Sequence, residues 1–174
     1  MKIKVLTIII LSLLFIVGCG KNNNESKDTN SSLIVVLASY NFKIGATYDG
    51  VAIYDDGTIY TRYISTTKSD YNSSMGSYSI NTKSGIEKMY LEKGIKKEDK
   101  IPKGDLIKIN NYINEIKSKD INTNCVGDSK KYTTIYIFNK NEELKFNVSD
   151  CEQNSSNNNV KELLSIIDKY KKSK

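Results

Sequence analysis

The chain has 174 residues, with 26 Lys and Arg against 20 Asp and Glu, three Cys, no His and no Trp. That length fits one folded body with an appendage. The lack of His excludes His-dependent general-base catalysis, Ser-His and Cys-His nucleophiles and His-ligated metal sites. A lone arginine, Arg62, supplies too few guanidinium forks to read phosphates and guanine edges, so no nucleic-acid partner is expected.

Lys2 and Lys4 precede an apolar run from Val5 to Val17 that Thr7 and Ser12 interrupt. A basic start and a short apolar stretch are the build of a secretory signal peptide. Its roughly 13 residues are too few for a hydrocarbon core that needs about 20 helical residues to cross. The run closes on Ile16-Val17-Gly18-Cys19, which resembles the lipobox of bacterial lipoproteins. The resemblance implies that residues 1–18 are removed and that Cys19 carries a diacylglycerol thioether. It places the mature protein on the extracytoplasmic face of the cell membrane, where two or more acyl chains anchor stably and one does not. The composition and layout of the body resemble small lipoproteins of low-GC Gram-positive bacteria, a likeness that carries over no functional residue.

Cys19 and the stretch that follows it, to residue 32, form the next unit. Residues 20–32 include no hydrophobic residue and read as a flexible tether. As a coil it separates its ends by roughly 20 Å, so the domain of residues 33–174 floats just off the bilayer.

That domain opens on the apolar run Leu33 to Ala38, a strand. Two alternating segments then flank Asp56-Gly57, a pair suited to a two-residue hairpin turn. The turn predicts Tyr54 opposite Ile59, Ile53 opposite Tyr60 and Val51 opposite Arg62. Val51, Ile53, Tyr60 and Ile64 then face the core, and Ala52, Tyr54, Thr61 and Tyr63 face away from it. Residues 66–77 read as a loop, and Tyr78–Asn81 and Ile86–Glu92 as short strands. Pro102 starts a helix over Lys103–Ser118 with the stripe Leu106, Ile109, Ile113, Ile116. A second hairpin joins Lys131–Phe138 to Glu143–Ser149, with Ile135 opposite Phe146 and Ile137 opposite Leu144. A last helix carries Val160, Leu163, Leu164, Ile167 and Tyr170 on one stripe, capped from the Asn157–Asn159 run. Two one-sided hairpins and two one-sided helices predict an α+β fold, a mainly antiparallel sheet with two helices packed on one face.

With Cys19 lipidated, Cys125 and Cys151 remain as an even pair flanking the second hairpin in an exported chain, where disulfides persist. Bridging them contributes on the order of 3–4 kcal/mol in the loop-entropy picture. Buried free thiols and a redox pair are the alternatives, and two cysteines without His or CxxC spacing make no zinc site.

No catalytic set emerges. Ser65-Thr66-Thr67-Lys68 and Lys83-Ser84-Gly85 match the short boxes of penicillin-binding proteins and β-lactamases, but both fall within one polar, loop-like stretch. Asp55-Asp56 suits a hairpin tip. No Gly-rich phosphate cradle, calcium loop or dinucleotide fingerprint is present, and no metal or cofactor is expected. Tyr54 and Tyr63, on the outward face of the first hairpin with Arg62 at its margin, form the candidate binding face, since tyrosine gives contact area at low entropic cost. These readings lead to a membrane-anchored, non-enzymatic binding or accessory module for a cell-envelope protein or wall component. An inhibitor or immunity-type lipoprotein aimed at a secreted enzyme, and a His-independent hydrolase, stay open as alternatives.

Overall fold

The computed structural model describes residues 31–43, 45–75, 78–125, 130–140 and 142–171. The signal peptide, Cys19 and the tether as far as residue 30 lie outside the described residues. Six strands, β1 (Leu33–Asn41), β2 (Ala46–Tyr54), β3 (Ile59–Thr66), β4 (Ile95–Lys96), β5 (Lys131–Phe138) and β6 (Glu143–Asn147), form one antiparallel sheet. Its order is β4-β3-β2-β1-β5-β6. The helices are α1 (Lys68–Met75), α2 (Lys83–Lys93), α3 (Lys103–Glu115), α4 (Glu152–Ser156) and α5 (Asn158–Lys171). The class is α+β, as expected, and among the described residues no helix is long and apolar enough to cross a membrane.

Helices cover both faces of the sheet, which corrects the expectation that they pack on one. On the first face Val35, Leu37, Val51, Ile53, Ile59, Ile135, Ile137 and Phe146 meet Ile109 and Ile113 of α3 and Val160, Leu163 and Ile167 of α5. These are the two helices expected from their stripes. On the second face Val36, Ala38, Tyr40, Tyr48, Ala52, Tyr54, Tyr60 and Tyr136 meet Tyr71 and Met75 of α1 and Ile86, Met89 and Tyr90 of α2. Helices α1 and α2 replace the expected loop and strand. Thr67 caps α1, its Oγ1 accepting from the Asp70 N–H at 3.3 Å and donating to Asp70 Oδ2 at 2.7 Å. Thr82 caps α2 by accepting from the Gly85 N–H at 3.2 Å. Both Ser/Lys boxes are thus helix starts, and Ile86, Met89 and Tyr90 fall at helical spacing.

The second hairpin has the expected register, Ile135 opposite Phe146 and Ile137 opposite Leu144. The first differs by one residue. Tyr54 N–H donates to Thr58 O at 3.0 Å and Gly57 N–H to Tyr54 O at 2.9 Å, which closes a three-residue loop, Asp55-Asp56-Gly57. A two-residue turn of the type expected needs positive φ at both central residues. Here Gly57 has φ 83°, and among the described residues no other residue type has a positive φ. The ladder therefore sets Gly50 opposite Arg62, Ala52 opposite Tyr60 and Ile53 opposite Ile59. Asp56 secures the turn, accepting from Thr58 N–H at 2.9 Å, Thr58 Oγ1 at 2.8 Å and Lys100 Nζ at 2.5 Å. Partial burial pushes its carboxyl up, but the Lys100 and Thr58 hydrogen bonds together outweigh that and hold it below the ordinary carboxylate range.

The second-face core is built on tyrosine, and small residues make room for it. Tyr48 and Tyr90 share a hydroxyl–hydroxyl hydrogen bond of 2.7 Å, and Tyr40 and Tyr136 one of 3.3 Å. Burial pushes all four phenols up. A Cβ at Gly50 would land on the hydroxyls of both Tyr48 and Tyr90.

Three glycines therefore respond differently to alanine in urea denaturation. Gly50→Ala lowers stability by about 1–3 kcal/mol through overpacking. Gly57→Ala costs about 1–2 kcal/mol because its φ is left-handed. Gly104→Ala in α3, where a Cβ meets nothing within 4 Å, is neutral or gains up to about 1 kcal/mol.

Candidate functional site

The register separates the three residues of the expected binding face. Tyr54 is buried on the second face at 2% exposure, its ring 5.5 Å from that of Tyr60. Arg62 is also buried there, at 7%. It donates to Met89 O at 3.4 Å and to Ser74 O at 3.2 Å, and lies 5.7 Å from the centre of the Tyr78 ring. Ser74 lies in the last turn of α1, where the helix dipole presents its negative end, so Arg62 clamps α1 and α2 onto the sheet. Tyr63 points the other way and is 66% exposed. Tyr54 and Arg62 are corrected to structural roles, and Tyr63 alone stays available to a ligand.

Tyr63 stands at the edge of a cleft of about 560 Å³ on the first face, between the sheet and the end of α5. The cleft follows from the sequence of three strands. In the sheet interior the rows are apolar, Ile53–Val35–Ile137 and then Val51–Leu37–Ile135. The next row on the same face is Tyr63–Asp49–Ser39–Thr133, and the one after it is Thr47–Asn41–Lys131. The core face thus turns polar at one level on adjacent strands. Leu37, Val148 and Leu164 remain as an apolar floor beneath these groups.

The polar row is organised. Lys171 Nζ, from the end of α5, donates to Ser39 Oγ at 2.7 Å and is ion-paired with Asp49 Oδ2 at 3.5 Å. Ser39 and Thr133 share a hydroxyl hydrogen bond of 3.0 Å, and Thr133 N–H donates to Ser149 Oγ at 3.0 Å. Cys125 and Cys151 come within disulfide distance, Cα to Cα 5.9 Å, just beyond Ser149. Asn154, fully buried, braces the same wall. Its Nδ2 donates to Asn147 O at 2.7 Å and Asn122 O at 3.0 Å, and its Oδ1 accepts from Asn122 N–H at 2.7 Å. Sequence reading missed Asp49, Ser39, Thr133, Lys171 and Asn154. The available signal was the loss of apolar residues at matching positions of β1, β2 and β5. Among the described residues no group of three or more Cys, Asp or Glu side chains gathers to hold a metal ion.

A second recess, about 410 Å³, lies between Ile59, residues 97–100 and Tyr170. Tyr170 donates to Asp105 Oδ2 at 2.8 Å, joining α5 to α3. Burial and the Asp105 charge push the Tyr170 phenol up to about 12. The hydrogen bond from Tyr170, with Lys169 in support, holds the Asp105 carboxyl below its ordinary range against slight desolvation.

The favoured forms are the neutral phenol and the charged carboxylate. Their contribution to stability is present near neutral pH. It is lost as pH falls through the lowered Asp105 value, and again as pH rises from 10.0 toward about 12. In urea titrations the stability gap between wild type and Tyr170→Phe is therefore constant near neutral pH and narrows at both extremes; a gap independent of pH contradicts the pairing. No model of a known protein family matches the chain, and no curated protein matches it.

Proposed function

We propose that the chain is an exported lipoprotein, held on the outer surface of the membrane by acyl chains on Cys19, whose folded body is a non-catalytic module binding a cell-envelope ligand in the cleft beside Tyr63. The residue order from Lys2 through Ile16-Val17-Gly18-Cys19 supports the anchor. The Cys125–Cys151 distance suits an oxidising compartment. The observation that carries the binding reading is the pair of polar rows on a core face whose interior rows are apolar apart from the buried Thr61. Removing core residues from three neighbouring strands at one level costs burial energy and is expected where a site is being built.

The 2.7 Å contact between Lys171 and Ser39 favours a second reading, a His-independent hydrolase. A lysine base must be neutral to activate a serine, however, and Lys171 is ion-paired with Asp49.

The anchor is tested by growing cells with an alkyne-bearing fatty acid and fractionating them. Wild-type protein takes up the label and sediments with membranes, whereas Cys19→Ala carries none and leaves the membrane fraction. Label retained on Cys19→Ala, or wild-type protein recovered without it, removes the anchor from the proposal.

A further inference from the structure

Resting on the reading of the cleft as a binding site, we infer that its ligand is a neutral, hydroxyl-rich sugar ring, lying with one face on Tyr63 and its hydroxyl edge against Asp49, Ser39 and Asn41. Three features of the cleft select this chemistry.

The first is the aromatic ring. Tyr63 is 66% exposed, and among the described residues no other ring stacks on it. An exposed tyrosine face carries the negative lobe of the ring quadrupole, which attracts the C–H bonds on the flat side of a pyranose. Asp49, directly opposite Tyr63 in the ladder, lines the same cleft.

The second is the density of short, directional polar groups. Ser39, Thr133, Ser149 and Thr47 bring hydroxyls, Asn41 an amide and Asp49 a carboxylate with 43% of its side chain exposed. Vicinal hydroxyls of a sugar need neighbouring donors and acceptors, and a carboxylate or amide can meet two of them at once. The Lys171–Ser39–Thr133 chain orients these groups before a ligand arrives, which reduces the ordering cost of binding.

The third is charge. Asp49 and Asp168 face Lys131 and Lys171 around the cleft, so its formal charges cancel. Such a lining gives no net attraction to an anion or a cation, while a neutral polar ligand meets no desolvated, unmatched charge. The volume lies within the range of about 300–1,000 Å³ usual for ligand clefts and admits a ring or two.

The test titrates the full chain in detergent micelles with two neutral trisaccharides, N,N′,N″-triacetylchitotriose and cellotriose, an anionic one, trigalacturonic acid, and the peptide Ala-Ala-Ala, following binding by calorimetry. At least one neutral trisaccharide binds, and binds more tightly than the other two classes. Tyr63→Ala weakens it about tenfold or more, while Tyr63→Phe stays within about threefold, because the ring face and not the hydroxyl makes the contact. Asp49→Asn weakens it without altering the melting curve. Failure of both neutral sugars, or neutral-sugar binding indifferent to Tyr63→Ala, overturns the inference. Tyr63-dependent binding of the peptide or the anionic sugar alone overturns the ligand class and leaves the cleft as a site. Binding by none of the four overturns the inference and counts against the cleft reading as well.

Discussion

A three-residue turn decides where the functional chemistry of this fold can lie. Asp55-Asp56-Gly57 closes the β2–β3 hairpin with one residue more than the two-residue turn that its Asp-Gly pair also suits. Side chains alternate across a sheet, so a slip of one residue exchanges the faces of a whole strand. With the longer turn, Tyr60 and Arg62 pass to the side of α1 and α2, while Ile59 and Tyr63 pass to the side of α3 and α5. Arg62 then closes over helix carbonyls, and Tyr63 reaches the cleft opposite Asp49. The opposite assignment would leave an arginine at the cleft and push Tyr63 under α2.

Much of the rest was legible because it depends on spacing alone. The α3 and α5 stripes, the second hairpin and the cysteine pair each rest on a single period or a single pairing. The β2–β3 register was not legible, since Asp-Gly fits both a two-residue turn with positive φ at Asp56 and a three-residue turn with positive φ at Gly57 alone, and nothing in the residue pair chooses between them. Helix α2 is ambiguous in the sequence because Ile86, Met89 and Tyr90 lie in a short stretch where strand and helix signals overlap. The second core was hidden for another reason. It is made of tyrosines, which a sequence suggests for surfaces; Tyr48 with Tyr90 and Tyr40 with Tyr136 pair their hydroxyls, while Tyr54 and Tyr71 bury theirs with no hydrogen-bond partner among the described residues. One clue was present throughout: Leu33 to Ala38 is apolar without alternation, the mark of a strand covered on both sides.

The two faces divide the labour of the molecule. The second is close-packed and aromatic, with Gly50 leaving space for Tyr48 and Tyr90 and three alanines of β1 and β2 in the same cluster. The first is aliphatic in its interior and polar where β1 and β2 meet and α5 ends. Its polar end is braced from outside by the Cys125–Cys151 pair and by the three hydrogen bonds of Asn154. A bridge on that wall fits a protein exposed to an oxidising exterior, and a rigid rim fits a site that recognises a ligand without rearranging.

The register is open to direct measurement by NMR, through cross-strand backbone NOEs in the first hairpin. The three-residue turn predicts NOEs joining Gly50 to Arg62 and Ala52 to Tyr60. NOEs joining Val51 to Arg62 and Ile53 to Tyr60 in their place would return Tyr63 to the other face and contradict the placement of the cleft.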